Sequence, residues 1–178
     1  GPQPVRIIGH GMGGLVVRAM QLVNAKEWDR MLAHDNGRVL LIGAPNGGSW
    51  TPMQVLSGDE TFGGLLRGLG GPSRDHKTRE LVAGFPGVIQ LQAGLTHPKL
   101  ALGKAATWRA MADADVARVE SRSAWHSAEE QIDEFRWGIP SEEVLRTAVA
   151  FRKQLDKQAD TGFGGHARNI LTVVGTSQ

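Results

Sequence analysis

Hydrophobic residues in this chain come in short bursts whose period changes from one segment to the next. Val5 to Ile8 is β-branched except at Arg6 and reads as a short buried strand, whereas Gly14 to Val23 has the apolar content of a helix packed on a sheet. A second helix follows: Trp28, Met31 and Leu32 give it one apolar face, and Gly37 after Asn36 supplies a stop. The run Arg38-Val39-Leu40-Leu41-Ile42 is then continuously apolar after its first residue, as expected of a strand buried on both faces. Strand, helices, strand in this order predict a βαβ crossover with parallel pairing.

From Trp50 to about Gly103 the pattern breaks into Gly-, Pro- and Ser-rich stretches with brief apolar bursts, which predicts loops and short helices. Helical signals return between Ala105 and Asp156. Ser127-Ala128-Glu129-Glu130 has capping-box spacing, and Pro140-Ser141-Glu142-Glu143 opens a helix with Val144, Leu145, Ala148, Val149, Phe151 and Leu155 near one face. A glycine-rich loop from Asp160 to Arg168 leads to a last strand at Ile170 to Val174. The expected architecture is α/β: a mostly parallel sheet with helices on both faces, formed by residues 1–49 and 167–178, with residues 50–166 as an inserted helical cap.

Composition narrows the setting. The 178 residues suffice for one domain with a core of its own, and a formal charge of +2 without a Lys/Arg block points away from a nucleic-acid surface. No cysteine is present, so neither a disulfide framework nor cysteine ligands for zinc are available, a composition that fits a reducing, cytoplasmic compartment. The chain has no charged leader joined to an apolar stretch and no apolar run of about 18 residues, so no signal peptide or membrane span is expected. No His/Asp/Glu grouping has metal-ligand spacing, and no cofactor is expected.

The segment with chemical content is Gly9-His10-Gly11-Met12-Gly13-Gly14, placed where the first strand gives way to the first helix. It has the form of the Gly-x-Ser-x-Gly nucleophile elbow, a sharp strand-to-helix turn with flanking glycines for close packing, except that Gly11 stands at the serine position. The same residues contain Gly9, Gly11 and Gly14 in the Gly-x-Gly-x-x-Gly spacing of a dinucleotide-binding turn. That reading asks for an acid at the end of the second strand to hold a ribose. Here Ile42 is followed by Gly43-Ala44-Pro45-Asn46-Gly47-Gly48-Ser49, which contains none.

The elbow and this second glycine-rich segment, about 30 residues apart and in this order, resemble the α/β-hydrolase superfamily and within it the lipase, esterase and acyltransferase-like branches. Phe85-Pro86-Gly87-Val88-Ile89-Gln90-Leu91 is similar to a cap segment of lecithin-cholesterol-acyltransferase-like members, and Ile170 to Gly175 to the next core strand. About a third of the chain carries the resemblance. It implies ester hydrolysis through a serine at the position of Gly11, an oxyanion donor in the backbone N–H of Met12, and structural roles for Gly9, His10 and Gly13. It also implies an acid after the strand at Ile170 to Val174 and a histidine beyond it, neither of which is found before Gln178. His97, His126 and His166 are expected as cap or surface residues, and Asp160 with His166 as at most an incidental pair.

Gly11 admits two explanations: an engineered Ser→Gly change, with Gly1-Pro2 resembling a protease-cleavage scar, or a natural pseudoenzyme that keeps the elbow as scaffold. The expected ligand is an acyl ester or other lipid-like molecule, with Leu65, Leu66, Leu69, Phe85, Ile89, Leu91, Leu100 and Leu102 either lining its pocket or closing the cap's own core. The resembling fold has about eight strands and the chain signals three. A second chain or another segment of the same protein is therefore expected to complete the sheet.

Overall fold

The computed structural model describes residues 3–58, 76–120 and 136–175. The capping-box segment at Ser127, His126, and the apolar residues Leu65, Leu66 and Leu69 lie outside the described residues. By contact density the chain separates into two compact units, Gly1–Gly47 with Phe151–Gln178, and Gly48–Ala150.

The first unit is the sheet unit. Strand β1 (Arg6–His10) is followed by helices α1 (Met12–Val23) and α2 (Ala25–Leu32), strand β2 (Arg38–Ile42) and, much later in sequence, strand β3 (Ile170–Val173). The three strands pair in the order β1-β2-β3, both pairings parallel. With helices around a parallel sheet, this is an α/β chain. The register sets Ile7 beside Val39 and Val39 beside Ile170. Because side chains alternate across a strand, these three share one face, and they pack with Val17, Trp28, Met31, Leu32, Leu41 and Ala44 into the core of the unit.

Two local devices close the crossover. The Asn24 side chain accepts the Glu27 N–H at 3.2 Å and so caps α2 at its N-terminus. At the far end, the Gly37 N–H reaches the His34 carbonyl at 2.8 Å, turning the chain into β2. Strand β1 runs to His10 rather than ending at Ile8, because pairing continues through Gly9 with Leu41 and His10 with Ile42. Helix α1 accordingly begins at Met12, two residues earlier than its apolar pattern suggests.

The second unit is helical. It contains α3 (Thr51–Ser57), α4 (His76–Ala83), α5 (Pro86–Gln90), α6 (Ala105–Glu120) and the first part of α7 (Glu142–Asp160). Trp108, fully buried, meets Trp137 edge-on with ring centroids 6.5 Å apart, and each indole N–H finds an acceptor, the Leu102 carbonyl and Asp115 Oδ2 respectively. Leu56, Ile89, Leu95, Leu102, Leu145 and Ala148 complete this core. Ile89 and Leu102 are thus packing residues of the unit itself, whereas Phe85 and Leu100 stand exposed.

Helix α7 begins where its sequence predicts: Ser141 Oγ accepts the Val144 N–H at 3.2 Å, and Glu142 reaches across to the first N–H of α6 at 2.9 Å. From Phe151 onward α7 belongs to the sheet unit. Residues 151–166, expected with the inserted segment, therefore group with the sheet, held there by Arg152, Leu155 and Gln158.

Candidate functional site

Gly11 occupies the turn between β1 and α1 with φ +55° and ψ −129°. Residues with a Cβ adopt this conformation only under strain, whereas glycine adopts it freely. A Cβ built on Gly11 would meet nothing within 4 Å, so a side chain there would stand clear of the surrounding atoms. The turn has the form a nucleophile elbow needs, a strained position at the end of a strand with space above it.

The flanking residues divide the structural work differently from the motif. Gly9 is buried, and a Cβ on it would come within 2.9 Å of the Gly14 Cα. A Cβ on Gly14 would in turn collide with the Ala44 side chain, whereas one on Gly13 would meet nothing within 4 Å. The close approach of helix to sheet is therefore made by Gly9 and Gly14. Gly13, expected as a structural flank, is not a packing constraint.

Three ties along α1 fix the elbow to the segment after β2. The Gly11 N–H donates to the Ile42 carbonyl at 2.9 Å, Gly14 lies against Ala44, and Arg18 Nη1 donates to Asn46 Oδ1 at 3.0 Å. Residues 11, 14 and 18 are one helix stripe, and residues 42, 44 and 46 lie at the end of β2 and in the turn that follows it. Between Ile42 and Asn46 the chain turns, with Gly43 at φ +54° and the Asn46 N–H on the Ala44 carbonyl at 2.7 Å, and this turn sets Ala44 against Gly14 and Asn46 against Arg18.

The third tie belongs to a buried polar cluster that the sequence reading passed over. Arg18 also donates through Nε to Gln158 Oε1 at 3.0 Å and through Nη2 to the Leu155 carbonyl, while Gln158 returns a bond to the Arg18 carbonyl at 2.8 Å. Arg152 donates to the Asn46 carbonyl and pairs through Nε with Asp156 at 3.2 Å. The Phe163 ring lies under the Arg18 guanidinium, 5.5 Å from centroid to Cζ, within cation–π range. Burial lowers the Arg18 pKa from its ordinary value, and the positive charge of Arg152 adds to that, with Asp156 opposing. The sequence signal was present: Arg18 sits with Gly14 on the buried stripe of α1, and Arg152 falls between Ala148 and Leu155 on the apolar stripe of α7. An arginine in such a position has to find acceptors inside the protein.

Among the described residues no histidine–carboxylate pair lies at Gly11. His10 is exposed beside the turn, and Met12, also exposed, contributes the first N–H of α1, which has no intrahelical carbonyl to bond. His166 pairs with Asp29, Nε2 to Oδ1 at 3.1 Å, and not with Asp160. That pair lies at the other end of the sheet. In a parallel sheet Gly11 and Gly43 follow strand C-termini, whereas His166 precedes β3, and nearby Asn169 donates to the Gly37 carbonyl at 3.0 Å just before β2. His97 belongs to the helical unit, where its N–H closes a turn onto Gly94.

A groove of about 1000 Å³ lies against α1 and α2, lined chiefly by Val5, Val16, Met20, Val23, Trp28 and Met31. Gly11, His10 and Met12 do not line it. Among the described residues no three His, Asp or Glu side chains group as a metal site, and no helix is long and apolar enough to cross a membrane. Comparison with protein-family models, with curated proteins and with solved structures finds no match to this chain.

Proposed function

We propose that this chain is an α/β-hydrolase-like module of lipase or esterase type whose nucleophile position has been vacated. The observation that carries the reading is the backbone of Gly11: φ +55° and ψ −129° at a strand-to-helix turn, with open space where a side chain would project. A serine there would attack an acyl ester and pass through an acyl-enzyme that water resolves, with the Met12 N–H facing the developing oxyanion. With glycine, no bond to the acyl carbon can form. The histidine nearest in sequence to a β3-linked position, His166, is engaged with Asp29 at the far end of the sheet and cannot serve as base.

The test is Gly11→Ser in the longest natural form of the protein, assayed with short- and long-chain p-nitrophenyl esters. Gained hydrolysis supports a disabled esterase. A soluble, folded variant with no gain points instead to a noncatalytic binding or assembly module on the same fold. This second reading draws support from the free edge of β1. Among the described residues β1 has a strand on one side only, so the backbone groups of Arg6, Ile8 and His10 that point away from β2 have no strand partner. A further strand from a second chain or from another segment of the same protein would satisfy those groups. Native mass spectrometry of these 178 residues at micromolar concentration distinguishes the outcomes: a stable, monodisperse monomer with no partner counts against strand completion.

A further inference from the structure

The sequence contains two Asn-Gly dipeptides, Asn36-Gly37 and Asn46-Gly47. In such a pair the glycine backbone nitrogen can attack the asparagine side-chain carbon, because glycine has no side chain to obstruct the approach. The attack needs a peptide nitrogen able to give up its proton and a side-chain carbonyl able to take on negative charge. The fold treats the two pairs differently. Gly37 is buried, its N–H is held by the His34 carbonyl at 2.8 Å, and a Cβ on it would collide with the Met31 carbonyl oxygen. Gly47 is exposed, a Cβ on it would meet nothing within 4 Å, and its N–H makes no hydrogen bond among the described residues.

Both arginines of the buried cluster touch the second pair. Arg18 Nη1 donates at 3.0 Å to Asn46 Oδ1, the oxygen on which charge develops when Cγ becomes tetrahedral. Arg152 Nη2 donates to the Asn46 backbone carbonyl. That carbonyl and the Gly47 nitrogen form one conjugated peptide group, so a donor on the oxygen stabilises the anion left when the nitrogen loses its proton. We propose that Asn46 is a site of intramolecular deamidation, with Arg18 activating the carbonyl under attack and Arg152 the attacking nitrogen. Solvent base removes the Gly47 N–H proton, and the nitrogen bonds to Asn46 Cγ. The Cγ–Nδ2 bond then breaks, and Nδ2 takes a proton from water and leaves as ammonia. Water opens the five-membered imide at either carbonyl, giving aspartate or isoaspartate at position 46, with one water consumed and one ammonia released overall. Among the described residues the cluster holds one carboxylate, the half-exposed Asp156, against two guanidinium groups. An aspartate at position 46 adds a second and turns the neutral contact with Arg18 into a charge-assisted one. None of this depends on whether the elbow belongs to a hydrolase.

Peptide mapping by mass spectrometry tests it, following the amide-to-acid mass gain in the folded 178-residue chain at mildly alkaline pH beside free peptides of residues 32–40 and 42–50. Asn46 is expected to convert about tenfold faster in the folded chain than in its peptide. Asn36 is expected to convert more slowly in the folded chain than in its peptide, since its neighbouring N–H is bonded and buried. Arg18→Met and Arg152→Met each lower the Asn46 rate to that of the peptide or below, with circular dichroism verifying that the variants remain folded. If neither variant folds, the comparison of parent chain with peptide still decides. Asn46 converting no faster in the folded chain than in the peptide, Asn36 converting as fast as Asn46 in the folded chain, or an unchanged Asn46 rate in both folded variants would each overturn the proposal.

Discussion

At the residue scale, the four glycines from Gly9 to Gly14 look alike in sequence and carry different constraints. Gly14 has no space: Gly14→Ala drives a methyl group into Ala44 and is expected to cost about 1–3 kcal/mol in chemical denaturation, as overpacking does. Gly11 has space but an unfavourable backbone for any other residue, so Gly11→Ser is expected to lower stability by about 1–3 kcal/mol without displacing neighbours. Gly13 has neither constraint. Gly13→Ala places a better helix former in the first turn of α1 and is expected to raise stability by about 0.5 kcal/mol. A glycine at position 11 thus avoids the backbone strain that any other residue would carry there.

Between elements, the decisive contact is the one that joins α1, the segment after β2 and the end of α7 through Arg18, Asn46 and Arg152. Arg18 donates to three neutral oxygens and Arg152 to the Asn46 carbonyl, and only the half-exposed Asp156 offers a negative charge. Removing one partner leaves the others buried without acceptors or donors. Arg18→Met is therefore expected to destabilise the fold by more than about 2 kcal/mol, and a double-mutant cycle between Arg18→Met and Asn46→Ala to show coupling of about 1–3 kcal/mol. Coupling near zero would mean that Asn46 is held by its backbone alone. The apolar periods of α1 and α7 were readable in the sequence, as was the anomaly of an arginine on each stripe. That the two arginines meet at the same asparagine was not, because 28 residues separate Arg18 from Asn46 and 106 separate Asn46 from Arg152.

For the whole molecule, the contrast is between the two faces of the sheet. Leu41 lies on the covered face at 1 % exposure, so Leu41→Ala is expected to cost about 2–5 kcal/mol. Ile8→Lys on the open face should change the stability of the isolated chain by no more than about 0.5 kcal/mol, since nothing packs on it there. Comparing the two by urea denaturation shows whether the open face is free in solution. Hydropathy alone predicts similar costs, because Ile8 and Leu41 both sit in apolar strand segments and nothing local distinguishes them.

The sequence by itself determined the order of strands and helices, the parallel crossover, and the strand-to-helix turn at Gly11, because these follow from local period and from residues with particular backbone freedom. Tertiary structure decided the rest. It made Gly14 and not Gly13 the packing glycine, sent His166 to Asp29 instead of Asp160, moved the end of α7 into the sheet unit, and among the described residues left Ile8 and Leu171 exposed on one face of the sheet. Each of these depends on which distant groups arrive at the same place, and chain distance carries no information about that.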